Sequence, residues 1–327
     1  MEERMARSAL LHMGAAAIMA ASASQAWSQN YPARTVRVVV PYAAGGNTDI
    51  VTRLIARHLS TDWGQQVIVD NRAGGATNIG SELVARAQPD GYTLLMGGAS
   101  NAINMTLFKK PPYSTLKDFT PVVLCTVGAN LLSVHPSIPV KNLGELIALA
   151  KAKPGQLNFA SSGIGSSNHM AGELFKLMAK IDIAHVPYKG NNPALADLVG
   201  GHIEMGFAGI TAQVPLMKAG KLRGIALSSK ERFPAVPEIP TFNESGVPGY
   251  ESSTFFGLLA PSGTPADIVR KVNADVAKVL ARQDVRDRLT EGGQITGGAP
   301  SEQFDKFLRD EVAKYAKVIK VAKVPLQ

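Results

Sequence analysis

The chain has 327 residues, 45% of them hydrophobic and 18% charged, with a formal net charge of +8. This composition excludes a disordered or fibrous chain, and the length exceeds what one hydrophobic core organises, so two domains are expected. The Lys and Arg residues are scattered and accompany no zinc, helix-turn-helix or aromatic RNA-binding motif, which argues against nucleic acid as a partner and leaves only a weak long-range preference for anionic ligands.

In chain order, Arg4 and Arg7 precede an apolar run over 9–23, and small residues follow at Ala26 and Ser28. This is the pattern of a secretory signal over 1–28, cleaved beside Gln29. The run is too short for a stable membrane span, and no Cys near it could carry a lipid anchor. The mature protein is therefore expected in the periplasm.

From there, short runs rich in Val and Ile alternate with helical patterns. Strands are expected at 35–41, 66–70, 92–96, 122–127, 131–135, 157–160, 185–187, 203–208, 222–228 and 254–260. Several are apolar on consecutive residues, as in parallel strands covered on both faces. Helical spacing appears at Ile50, Val51, Leu54, Ile55 and Leu59, and again at Ile79, Leu83 and Val84. It recurs at Met170, Leu174, Phe175 and Met178, at Ile268, Val272, Val276 and Val279, and over 304–321. The alternation predicts an α/β fold with right-handed crossovers. The Pro-rich stretch 233–248 reads as an extended surface loop with a turn. No internal repeat or long linker is visible. The chain is expected to cross between domains near 127–132 and 250–255, giving one domain of 29–129 plus 254–327 and a second of 130–253.

Cys125 is the only cysteine and sits beside Val122, Val123 and Leu124, so no internal disulfide is possible and a buried, inert thiol is expected.

Three segments share one construction of strand, Gly-rich turn and helix opened by hydroxyl or amide residues. The first contains Tyr42, Gly45, Gly46, Thr48 and Asp49. The second contains Gly74, Gly75, Thr77 and Asn78. The third contains Ser162, Gly163, Gly165 and Ser166. A helix N-terminus exposes unpaired N–H groups and partial positive charge, while glycine admits close approach. Such turns hold an anion without needing Arg or Lys. Each could equally be a simple capped loop; three in one α/β chain point to the crevice where strand ends converge. Asp49 fits either a helix-dipole partner or a group that orients N–H donors and water. Tyr188 could line a cleft, and Lys189 reads as solvated.

Enzyme signatures are missing. The segment Gly98-Ala99-Ser100-Asn101-Ala102 lacks the second glycine of a nucleophile elbow, and Asn168 occupies the third glycine position of a dinucleotide fingerprint. The six His residues show no metal-ligand spacing. No catalytic residue, cofactor or metal is expected.

Taken in order, Pro41-Tyr42-Ala43-Ala44-Gly45-Gly46 with Asp49, Asn78-Ile79-Gly80, Pro89-Asp90-Gly91-Tyr92, Ser162-Gly163 with Gly165-Ser166 and His169, Val186-Pro187-Tyr188-Lys189-Gly190 and Gly257-Leu258-Leu259-Ala260-Pro261 resemble the Bug family. These are the periplasmic solute receptors of tripartite tricarboxylate transporters. The resemblance covers the mature chain. It implies two doubly wound α/β domains of the type II periplasmic-binding-protein kind, closing around an interdomain cleft on a small carboxylate. It places Gly45, Gly46, Thr48, Thr77, Asn78, Asn101, Ser162, Ser166 and Tyr188 at that cleft. It implies membrane subunits of such a transporter as partner. A sensor kinase that reads the closed form is the alternative partner, a periplasmic enzyme acting on carboxylates is the weaker alternative function, and a monomer is expected. Two departures stand out: Ala208 where the family frequently has Asp, and Phe255 where it frequently has Trp. Without that carboxylate, a dicarboxylate or aromatic carboxylate is expected in preference to an amino acid.

Overall fold

The computed structural model describes residues 31–327; the expected signal segment over 1–28 lies outside the described residues. Strand β1 (Val36–Val40) leads to helix α1 (Asn47–Trp63), β2 (Val67–Asn71), a 3-10 turn (Gly75–Thr77), α2 (Asn78–Ala85), β3 (Thr93–Gly98) and α3 (Ala99–Leu107). A long strand, β4 (Phe119–Val134), follows. Then come α4 (Leu143–Ala152), β5 (Asn158–Ser161), α5 (Ser167–Ala179), β6 (Ala184–Pro187), α6 (Asn191–Val199), β7 (Met205–Gly209), α7 (Ile210–Lys218) and β8 (Arg223–Leu227). The chain returns through β9 (Ser253–Pro261) and ends with α8 (Ala266–Ala281), α9 (Gln283–Glu291), β10 (Gln294–Ala299) and α10 (Ser301–Val321). The fold is α/β, as the alternation predicts.

β1, β2 and β3 are parallel, with β1 in the middle. β9 joins antiparallel to β3, β4 to β9, and β10 to β4. A second set repeats the plan: β5 lies between parallel β6 and β7, and β4 joins antiparallel to β7, with β8 on β4. β4 therefore belongs to both sets. It pairs with β9 as far as Ala129↔Ser253, then switches to β7 at Asn130↔Gly209. Ser228 fastens this crossing: its Oγ accepts from Asn130 N at 2.8 Å and donates to Ser252 O at 2.7 Å. We refer to the two strand sets with their helices as the first and second halves.

Each half has its own apolar interior. In the first, Val272, Val276 and Val279 of α8 are fully buried against Val38, Val40, Leu94 and Met96. Burying each such side chain is worth about 1.5–3 kcal/mol, so a charge at Val272 would dislodge the helix. In the second, Phe159, Phe175, Phe207, Phe242 and Tyr250 interlock, with Phe242 and Tyr250 rings stacked at 4.0 Å. Cys125 is fully buried, and burial pushes its thiol up to about 12.

Three expectations need correction. The strands expected at 122–127 and 131–135 are one strand; Gly128, Ala129 and Asn130 interrupt the apolar run because the strand changes partners there. The Pro-rich stretch is not a surface loop. Its Phe233, Val236, Phe242 and Val247 are buried, and Thr241 forms a parallel bridge with Leu227. β10 was not foreseen, because Gly297 and Gly298 dilute its alternation and its pairing comes from distant β4.

Candidate functional site

Helices α1, α2 and α3 open at the carboxyl ends of first-half strands, and α5, α6 and α7 open at the carboxyl ends of second-half strands or just beyond them. The two groups meet. Ser100 Oγ donates to Gly165 O at 3.4 Å. A Cβ placed on Gly165 would lie 2.6 Å from Leu107 Cδ2 and 3.6 Å from Asn104 Oδ1, while one on Gly209 would lie 3.2 Å from Asn47 Nδ2. Glycine at both places leaves room for this approach, and the first turns of α1 and α3 meet the turns that precede α7 and α5.

The first turn is organised by Asp49, which is 3% exposed. Its Oδ2 accepts from Gly45 N at 2.9 Å and Arg53 Nε at 3.0 Å, and its Oδ1 accepts from Asn71 Nδ2 at 3.0 Å. Asn71 also donates to Tyr42 O. Burial alone would raise the Asp49 carboxyl, but the bonds from Arg53, Gly45 and Asn71 outweigh it and hold it below the usual range. Gly45 has φ +80, a conformation natural to glycine. The N-cap of α1 is Gly46, with no side-chain cap, so the first-turn amides of Asn47, Thr48 and Asp49 have no capping oxygen. Thr48 is buried, and Tyr42 hydrogen-bonds Ser100, which itself reaches Gly165.

The second turn is strained. Ala76 and Thr77 have φ 52 and 78, left-handed values that are uncommon for residues other than glycine and an outlier for the β-branched Thr77. Such conformations cost of order 1–3 kcal/mol each and persist only when the surroundings impose them. Asn104 imposes them: its Nδ2 donates to Ala76 O at 2.7 Å and to Asn78 Oδ1 at 2.9 Å.

The third turn is wired into its own half. Ser166 Oγ caps His169 N at 3.2 Å and donates to Gly163 O at 2.7 Å. Gly165 N donates to His169 Nδ1 at 3.3 Å. The His169 ring stacks on His185 with centroids 3.9 Å apart, and His185 stacks on Phe159. Ser161 Oγ lies 2.6 Å from His185 Nε2. Burial, then the charges of His185 and Lys176, lowers His169 to about 3; burial, then Lys176, lowers His185 to about 4. Both rings are neutral at ordinary pH, so His169 Nδ1 stays an acceptor. Ser162 and Gly163 are half-buried on this turn.

Four expected residues already have partners for their side chains inside the protein. Asn101 is fully buried: its Oδ1 accepts from Gly98 N, and its Nδ2 donates to Ser81 and Tyr113, leaving no free donor. Phe255 is 1% exposed and packs edge-on against Phe307 at 5.0 Å. The Ala208 methyl packs with Ala160 and Leu195, and Tyr188 borders that same cluster. Tyr188 donates to Asp197 at 2.7 Å; burial and that carboxylate push its phenol up to about 12. Asn104 and His185 are not among the residues expected at the site, and Asn47 and Ser100 figure in the sequence patterns only as members of their turns. The spacing 100, 104, 107 was a usable signal, since it places three residues along one helix face. The pairing of His169 with His185 had none.

An apolar recess lined by Val38, Leu94, Met96 and Leu258 lies beneath α1, within the first-half interior and remote from the crevice. Among the described residues, no group of three or more His, Cys, Asp or Glu could hold a metal ion, and no helix is long and apolar enough to cross a membrane.

Two strand sets that share a crossing strand and bring their helix mouths together at one junction have the form of an α/β solute-binding protein. The family model described as "Tripartite tricarboxylate transporter family receptor" matches residues 51–324, and the chain belongs to this family of solute-binding receptors. The R. palustris protein Rpa4515 with adipate is 38% identical and superposes with a TM-score of 0.83, covering 90% of this chain and 98% of that one. The periplasmic binding protein BugD is 32% identical with a TM-score of 0.80, covering 91% and 100%. MatC from Rhodopseudomonas palustris with bound malate is 36% identical with a TM-score of 0.79, covering 88% and 100%.

Proposed function

We propose that this protein captures a small organic carboxylate in the crevice and delivers it to the membrane subunits of a tripartite tricarboxylate transporter, without chemistry on the ligand. The observation that carries this reading is the uncapped mouth of α1, whose Asn47 reaches Gly209 of the second half. An anion there takes backbone donors while the opposite turn closes over it. Tyr42, Gly45, Gly46, Thr48, Asp49, Thr77, Asn78, Ser162, Gly163 and Ser166 form the lining or its immediate support. Residues 29–129 plus 254–327 and residues 130–253 move as two bodies about the β4 and β9 crossing, because a ligand touching both favours the closed arrangement. The adipate and malate held by the two R. palustris relatives support a dicarboxylate, with an aromatic carboxylate next.

The reading is tested by calorimetric titration and thermal shift with adipate, malate, succinate and benzoate, since a bound ligand raises stability by mass action. Saturable binding of at least one, with a more compact scattering profile, is expected; aspartate or glutamate binding alone would refute the preference. Release of residues 1–28 on export is checked by the mass of the periplasmic protein, which should begin at Gln29. Pull-down with membrane proteins separates a transporter partner from a sensor kinase.

A further inference from the structure

Asn104 stands where the first half touches the second and is fully buried. Its Nδ2 faces the carbonyl of Ala76, which can only accept, so the orientation of the amide is set and it cannot be flipped. Its Oδ1 is thereby fixed as an acceptor, and among the described residues no group donates to it. That oxygen lies 3.6 Å from where a Cβ on Gly165 would stand, so it faces the junction between the halves. The neighbouring groups do not meet its need. Ser100 Oγ donates to Gly165 O, and Gly165 N donates to His169.

The mouth of α2, whose N-cap Thr77 makes no side-chain cap bond, offers amide donors suited to an oxyanion, and Asn104, bonded to Asn78 of that mouth, carries a buried acceptor that can be met only by a hydrogen. A bare carboxylate brings no hydrogen; a hydroxyl does. We infer that Asn104 is a specificity residue that accepts a hydrogen bond from a hydroxyl on the guest, so that hydroxycarboxylates are preferred to their deoxy counterparts. This rests on the carboxylate-receptor reading above and narrows its ligand class.

The test is calorimetric titration of the purified protein with pairs differing by one hydroxyl: malate and succinate, citrate and tricarballylate, lactate and propionate. The expected result is that, in any pair that binds, the hydroxylated member is tighter by about tenfold, the size that goes with one buried acceptor gaining its partner. In Asn104→Leu that ratio should fall to about one. Because Asn104 also holds the strained turn, the variant is expected to weaken both members, and the ratio is therefore the readout. Ala76→Gly in the same background relieves the turn and should restore common affinity without restoring the ratio. Equal or weaker binding of the hydroxylated members in the unaltered protein overturns the inference. So does a ratio that survives Asn104→Leu, or binding of adipate with none of the pairs. Absence of saturable binding by every carboxylate tried would instead overturn the receptor reading itself.

Discussion

The two halves repeat one plan, a middle strand flanked by parallel neighbours with a shared antiparallel strand beyond, yet they hold their glycine turns by opposite means. In the first half a charged carboxylate, Asp49, gathers Gly45, Arg53 and Asn71, and the mouth of α1 stays uncapped. In the second half a neutral hydroxyl, Ser166, caps α5, and two stacked uncharged imidazoles back the turn. On the proposed carboxylate-receptor reading, the difference assigns unequal roles. A mouth without a cap keeps its donors for a guest, whereas a capped turn is already satisfied and serves as a preformed wall.

Removing the carboxylate should break the contrast most strongly. Asp49→Ala leaves Gly45 N without its acceptor and removes one of the two acceptors of Asn71, and a loss of about 2–3 kcal/mol in urea unfolding is expected, with weaker ligand binding. Gly46→Val covers the α1 mouth at a position whose Cβ would meet only Ala43 O at 3.6 Å. It should reduce affinity about tenfold or more by titration while shifting the melting temperature little. Thr48→Ala should act in the same direction, more weakly.

The second half is probed with pH. Burial keeps His169 and His185 neutral with values lowered to about 3 and 4. Below about pH 6.5 the unfolded chain binds protons that the folded chain refuses, so stability falls as pH falls. The slope from each ring is about 1.4 kcal/mol per pH unit and ends only where the folded rings themselves titrate. Asp49 works at lower pH: its depressed carboxyl contributes stability above the unfolded value of 3.8, lost as pH drops through the folded value. Urea midpoints between pH 7 and 5 should therefore decline, and His185→Gln should flatten the decline. An unchanged slope in that variant would show that the imidazole stack does not govern the acid response. Ser166→Ala should cost about 1 kcal/mol, the ordinary worth of an N-cap. Arg53→Ala, at an exposed side chain, should cost less than about 1 kcal/mol.

Much of this was legible beforehand. The first nine strands lie where Val- and Ile-rich runs place them, because strand burial on both faces leaves a continuous apolar record. The three glycine turns were legible for a similar reason: positive φ at Gly45, Gly74, Gly75, Gly163 and Gly165 is a local demand met by a local residue. Asn101 and Phe255 were harder to place. Nothing local distinguishes an amide that faces a crevice from one that ties Gly98, Ser81 and Tyr113 together.

By itself, then, the chain's sequence determined the α/β alternation, the glycine turns and the family, since each is written in neighbouring residues or short motifs. The tertiary structure alone decided that β4 serves both halves, that His169 lies on His185, and that Asn104 of one half faces Gly165 of the other. Those contacts join residues 16 to more than 100 positions apart, and which partner a buried polar atom finds depends on how whole helices pack.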